Sequence, residues 1–148
     1  MIISFAGHSS ITENGEITIE LKKILVKYLA GEDFIHFYCG GYGDFDNLCA
    51  KVLMELKRDY NNFEVVYITP YITDSKKFES LSKSDLYDST IYPPLENVPR
   101  RFAIIKRNEW MVSQSDLIIA YITHSYGGAA KTVGYARKKN KPLIILHM

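Results

Sequence analysis

Residues 116–132 read DLIIAYITHSYGGAAKT. The opening part, DLIIAYI (116–122), is an apolar run of strand length that does not alternate, as a strand buried on both faces does not. Gly127 and Gly128 follow, and then a segment of helical period (about 127–139) with Ala129, Val133 and Ala136 on one side. A doubly buried strand running through glycine into a helix is a βα junction of a covered parallel sheet.

The rest of the chain repeats this grammar. IISFA (2–6), FIHFY (34–38), FEVVYIT (63–69) and PLIIL (142–146) are further apolar strands. Helical faces separate them: Ile17, Leu21, Ile24, Leu25 and Tyr28 in 16–30, and Phe45, Leu48, Cys49, Val52 and Leu56 after strand two. Asp44 is the expected N-cap of the second helix, and Pro99 opens a third that runs to about Gln114. The expectation is an α/β fold, a three-layer Rossmann-like sandwich of about five mostly parallel strands flanked by helices. It forms a single domain over 1–148, with a long, polar, tyrosine-rich, lid-like insertion around 70–98.

Composition narrows the functions. The chain has 148 residues, 47% of them hydrophobic, which is enough for a core of its own. Its 18 basic and 17 acidic residues leave a formal net charge of +1. Bulk charge of that size supports neither a nucleic-acid partner nor a membrane surface, and neither is expected. No apolar run approaches the ~20 residues of a membrane span, and the amino terminus has no signal-like pattern, so a cytoplasmic protein is expected. Cys39 and Cys49 fall on a strand end and on an apolar helix face. They read as buried thiols, so no metal site and no cofactor are expected.

In open parallel sheets, ligands bind beyond the carboxyl ends of the strands. Those ends carry Gly7-His8-Ser9-Ser10, Gly40-Gly41-Tyr42-Gly43-Asp44, Thr69-Pro70-Tyr71, and Thr123 to Thr132 with His124, Ser125, Gly127, Gly128 and Lys131. Glycine leaves backbone amides uncovered, and helix amino termini add positive potential, so the set suits an anion, most naturally a phosphate. Neither a Walker lysine nor G-x-G-x-x-G is present. Glycine turns can also be no more than tight connections between strand and helix.

On a helical wheel of 100–114, Ala103, Ile104, Trp110 and Met111 form an apolar side with Arg100, Arg107 and Gln114 in its middle. Burying an unpaired arginine costs several kcal/mol. Such an arginine either pairs with a carboxylate, for which Asp46 is placed, or faces a cleft that takes an anion. Phe102, Ile105 and Val112 add a second apolar edge, which suits a homodimer through this helix.

The stretch RNEWMVSQSDLIIAYITHSYGGAAKT (107–132) resembles the R-K-x-x-M…D-x-x-I-x-L-P-G-G-x-G-T-x-x-E region of Lonely Guy-type proteins. It is still more similar to the uncharacterised bacterial branch of the SLOG superfamily, which is named for its Smf/DprA and Lonely Guy relatives. FYCGGYGDFD (37–46) matches the glycine turn that this superfamily places after strand two. The resemblance implies a nucleotide or nucleotide-derived ligand, with Arg107 at its ribose-phosphate and Gly127 and Gly128 in the phosphate loop. Lonely Guy enzymes hydrolyse the N-glycosidic bond of nucleoside monophosphates, but the position of their catalytic glutamate falls on Ala130. Alanine activates no water, so that chemistry by the familiar residues is not expected.

Three functions follow, in this order. The first is a binding module for a nucleotide-like small molecule, acting as a sensor or sequestering the ligand. The second is an N-glycosidase or phosphoribohydrolase-type enzyme on a nucleoside phosphate, with Asp46 or a histidine and Arg107 as its catalytic groups. The third is an interaction protein whose glycines only turn the chain and whose arginines pair internally. A covered, salt-bridged Arg107 with no cavity at the strand ends would mark the third.

Overall fold

The computed structural model describes residues 1–12, 15–71 and 86–146. Six strands form one sheet: β1 (Ile2–Gly7), β2 (Ile35–Cys39), β3 (Phe63–Ile68), β4 (Ser89–Ile91), β5 (Leu117–Tyr121) and β6 (Leu143–Ile145). Their order is β4-β3-β2-β1-β5-β6, and every pairing is parallel. Among the described residues four helices cover the sheet: α1 (Gly15–Leu29), α2 (Asp44–Leu56), α3 (Ala103–Gln114) and α4 (Gly128–Lys138). The architecture is the expected Rossmann-like sandwich, with one strand more than expected.

The additional strand, β4, lies in the 70–98 stretch expected to be an insertion. Asp88 docks it: its backbone N–H donates to Val65 O and its carboxylate accepts the Val65 N–H, both at 2.8 Å, with Lys57 on the same carboxylate. Residues 72–85 of the expected lid lie outside the described residues.

Alternation along the strands sorts side chains into two layers. Ile3 and Phe5 join Ile35, Phe37, Val65, Leu117 and Ile119 beneath α1 and α2. Each such fully buried side chain stabilises the fold by roughly 1.5–3 kcal/mol. On the opposite face, Ala6, Ile118 and Ala120 meet Val112 of α3 and Val133 and Ala136 of α4, while Tyr38, Val66 and Ile68 meet Met111. Cys39 and Cys49 are buried free thiols.

One local expectation is corrected. The α2 cap residue is Gly43, at φ 89°, and Asp44 is the first helical residue. The Asp44 carboxylate instead accepts the Ile11 N–H at 3.1 Å, tying the loop after β1 to the start of α2. Similarly, Arg100 and Gln114 are exposed, although the helical wheel put them on the buried side. Arg100 lies in a 3₁₀ turn (Arg100–Phe102) before α3, where the α period does not run, and Gln114 is its last residue. No helix among the described residues is long and apolar enough to cross a membrane.

Candidate functional site

The strand order reverses at β1. The chain builds outward through β2, β3 and β4, then returns to β5 on the other flank of β1. The helices that follow β1 and β5 cover opposite faces, which opens a crevice beyond the carboxyl ends of these two strands. A cavity of about 440 Å³ occupies it and extends over the sheet between α3 and α4. Small side chains on that face of β1, Ser4 and Ala6, leave it room. Its floor is closed by Met111, Val112 and Ile118, with the Ser4 hydroxyl hydrogen-bonded to that of Ser115.

Among the residues expected at a site, the cavity is lined by Gly7, His8, Ser9, Asp46, Arg107, His124, Gly127 and Gly128. Gly40, Gly41, Gly43, Arg100, Ser125 and Lys131 do not line it. Arg100 lies with its guanidinium 4.4 Å from the Tyr71 ring centroid, and Ser125 and Lys131 are exposed. Lining residues that the sequence reading did not single out for ligand contact are Tyr42, Asn108, Tyr126, Ala129 and Thr132. A lone tyrosine in a polar loop, or a threonine in the first turns of a helix, gives no signal in a single sequence.

The two glycine turns behave differently. At Gly43, an added Cβ would stand 2.6 Å from Ser9 Cα, and the Asp44 N–H donates to Ser9 O at 2.9 Å. The amino terminus of α2 is thus occupied by the protein's own backbone. At Gly128 an added Cβ would meet nothing within 4 Å, and at Gly127 (φ 91°) only His124 at 3.8 Å. The first intrahelical acceptor of α4 is Gly127 O, which takes the Lys131 N–H. The amides before it belong to the unpaired first turn of a helix and border the cavity, where the macrodipole adds positive potential. That first turn holds no acidic residue, and Ala130 is part of it.

Arg107 is 3% exposed. Its Nη1 donates to Gly40 O at 2.9 Å and Ile68 O at 2.8 Å, the carbonyls just past β2 and at the end of β3. Its Nε donates to Asn108 Oδ1 at 2.9 Å, and Tyr42 lies beside the guanidinium, 5.8 Å from its ring centroid. Nη2 donates to no described residue. Gly40 permits this arrangement, because a Cβ there would lie 3.0 Å from Asp46 Oδ2 and 3.3 Å from the guanidinium.

Asp46 and Arg107 are therefore neighbours across Gly40, but they form no contact ion pair. Burial pushes the Asp46 carboxyl up to about 6, against the opposing pull of Arg107 and the Tyr42 N–H. The residue keeps some exposed surface at the cavity wall, so solvent limits that upward push without reversing it. Asp46 is the only carboxylate lining the cavity among the described residues.

The opposite wall is a stack of rings. His8, 6% exposed, lies 3.6 Å from His124 at 17°, and His124 lies 3.8 Å from Tyr126 at 22°. His8 Nε2 accepts the Thr123 N–H at 3.0 Å, so its proton is on Nδ1 and the ring is neutral. Burial, then His124, holds its pKa below the ordinary value. His124 Nδ1 is enclosed and bonds to no described residue. Among the described residues no cluster of ligands suits a metal ion.

No family model and no curated protein matches the sequence. Solved structures do share its fold. DNA processing protein A of Helicobacter pylori matches with a TM-score of 0.64 and 16% identity, over 100% of this chain and 66% of that one. DNA processing protein A of Streptococcus pneumoniae matches at 0.69 and 12%, over 99% and 50%. The molybdenum cofactor carrier protein of Chlamydomonas reinhardtii matches at 0.59 and 17%, over 97% and 75%. The chain thus spans about half to two thirds of the length of the two DNA processing proteins. The resemblance to SLOG proteins holds at the level of the Rossmann-like fold.

The Helicobacter pylori protein is described by its mode of binding single-stranded DNA. This overturns the expectation of no nucleic-acid partner, which rested on net charge. A fold shared with a DNA-binding protein removes bulk charge as a ground for exclusion, because local stacking and a few phosphate contacts can hold a single strand without a strongly basic surface.

Proposed function

We propose that the chain is a binding module for a nucleotide or nucleotide-derived ligand, which it senses or sequesters in the crevice between β1 and β5. One observation carries this reading: Arg107 is buried against the cavity, charged, and in contact with carbonyls instead of a carboxylate. A guanidinium held this way is preorganised for an anion. The open first turn of α4 supplies the second half of the cradle. The fold shared with a cofactor carrier and with a single-stranded DNA-binding protein supports binding in the coarse sense.

Equilibrium binding against mononucleotides, cyclic nucleotides, ADP-ribose-type compounds and short single-stranded DNA tests it. Micromolar or tighter binding in the wild type, lost in Arg107→Ala but kept in Ser125→Ala, is expected. No binding of any of these would sink the proposal.

Asp46 favours a second reading, cleavage of an N-glycosidic bond. A carboxyl that titrates near 6 inside a ligand cavity has a pKa suited to general acid-base work. Release of free base from a nucleoside phosphate, abolished by Asp46→Asn, is its signature, and an unchanged rate in that variant would remove it. Self-association belongs to the same proposal. Of the expected outer edge, Phe102 and Ile105 stay 41–42% exposed while Val112 is buried in the core. Ile104, expected on the inner side, is 41% exposed, so Phe102, Ile104 and Ile105 form the apolar edge suited to a second copy. Ile105→Glu should convert a dimer to a monomer by sedimentation, and a monomeric wild type would end the idea.

A further inference from the structure

We propose that the outer face of the Tyr126 ring is a nucleobase subsite, at which the base of the ligand extends the His8–His124–Tyr126 stack as its fourth ring. This rests on the nucleotide reading above and names where the base goes.

The stack has an inner end and an outer end. His8 is buried and fixed by the Thr123 N–H, His124 is partly covered, and Tyr126 is 71% exposed. Both inter-ring steps are close and nearly parallel. An exposed tyrosine on a surface loop ordinarily needs no explanation. Here the exposed ring ends a pile whose base is anchored in the sheet edge. One of its faces is covered by His124, and the ring borders the cavity. Such a ring is held in place before a ligand arrives, so little side-chain freedom remains to be lost on stacking.

The position of the ring along the chain joins it to the anion site. Tyr126 immediately precedes Gly127 and Gly128, whose amides open α4, and all three line the cavity that Arg107 also borders. A ligand with its phosphate at this turn therefore has an aromatic platform one residue away. The chemistry that fits is a planar heteroaromatic ring carrying a phosphate, from a free nucleotide or from the end of a single strand. Stacking of this kind is sequence-tolerant, and its loss lowers affinity by roughly tenfold to a hundredfold.

The test uses the 5′-monophosphate of 2-aminopurine riboside, whose emission is quenched on stacking, with ribose 5-phosphate as a probe that lacks the base. Expected are quenching on binding to the wild type and tenfold or greater weakening in Tyr126→Ala. Near wild-type affinity should remain in Tyr126→Phe and Tyr126→Trp, and ribose 5-phosphate should bind wild type and Tyr126→Ala equally. Unchanged nucleotide affinity in Tyr126→Ala overturns the subsite while leaving the anion site standing. Equal weakening for both probes also overturns it, since Tyr126 would then only shape the loop. If neither probe nor an oligonucleotide ending in 2-aminopurine binds the wild type, the nucleotide reading itself fails and the subsite with it. Quenching with the oligonucleotide alone identifies a strand end as the source of the base.

Discussion

Arg107 Nη1 holds the carbonyl oxygen of Gly40 at 2.9 Å, so a residue of α3 fastens the end of β2 from across the sheet. The same nitrogen holds Ile68 O at the end of β3. Arg107 thus engages one backbone acceptor just past β2 and another on the last residue of β3, and it borders the cavity while doing so. Arg107→Ala should lower unfolding stability by about 3 kcal/mol, since hydrogen bonds from a charged donor are lost inside the protein. Urea denaturation followed by Trp110 fluorescence measures this. A loss below about 1 kcal/mol would mean that the carbonyls find other partners.

Asp46 gives a pH dependence of defined sign. Its folded pKa of about 6 lies above the ordinary value of 3.8, so the folded state holds the proton more tightly. Its favourable contribution is fully present below pH 3.8 and is lost as pH rises through about 6. Asp46→Asn should therefore stabilise the protein at pH 7 by up to about 3 kcal/mol, and by nothing near pH 4. Denaturation midpoints across that range decide it. A gain that does not depend on pH would refute the linkage.

His8 has the opposite sign. Its pKa is held below the ordinary value of 6.5, and its neutral Nε2 is the acceptor for Thr123. This contribution is present above pH 6.5 and is lost as pH falls below it. In the Asp46→Asn background, where the competing titration is gone, wild-type His8 should show stability falling on acidification below pH 6.5. Replacement by Asn should flatten the slope. Proton NMR of the imidazole should place its midpoint below 6.5, and a midpoint above that value would contradict the assignment.

The glycine turns separate structure from binding. Gly43→Ala forces a side chain into φ 89° and onto Ser9, and should destabilise by roughly 1–3 kcal/mol or more. Gly128→Ala meets open space, so stability should hold or rise by about 0.5 kcal/mol. Its methyl would instead intrude on the ligand, weakening nucleotide binding with the thermal midpoint unchanged or raised. Calorimetry on the two variants shows whether the pattern reverses.

How far the sequence revealed this structure depends on which residues carried a pattern. The long strands were legible because they are apolar on both faces, and Arg107 because a charge in the middle of an apolar helical face has few resolutions. β4 was not legible: Ser89-Thr90-Ile91 is short and embedded in a polar stretch, and what holds it is its pairing with β3, flanked by the Asp88 clamp on Val65 and the Thr69 N–H on Ile91 O. Asp44 looked like a cap because of its type and place, yet the loop after β1 needed its carboxylate more. Tyr126 left no mark at all, since its stack on His124 is anchored by His8, whose loop meets theirs only once β1 and β5 are adjacent.

Ser9 carries the last consequence. By placing its own backbone against Gly43, the protein has filled one of two equivalent cradles with itself. Under the proposed anion-binding reading, the loop after β1, whose His8 and Ser9 also line the cavity, leaves a ligand one open helix terminus instead of two.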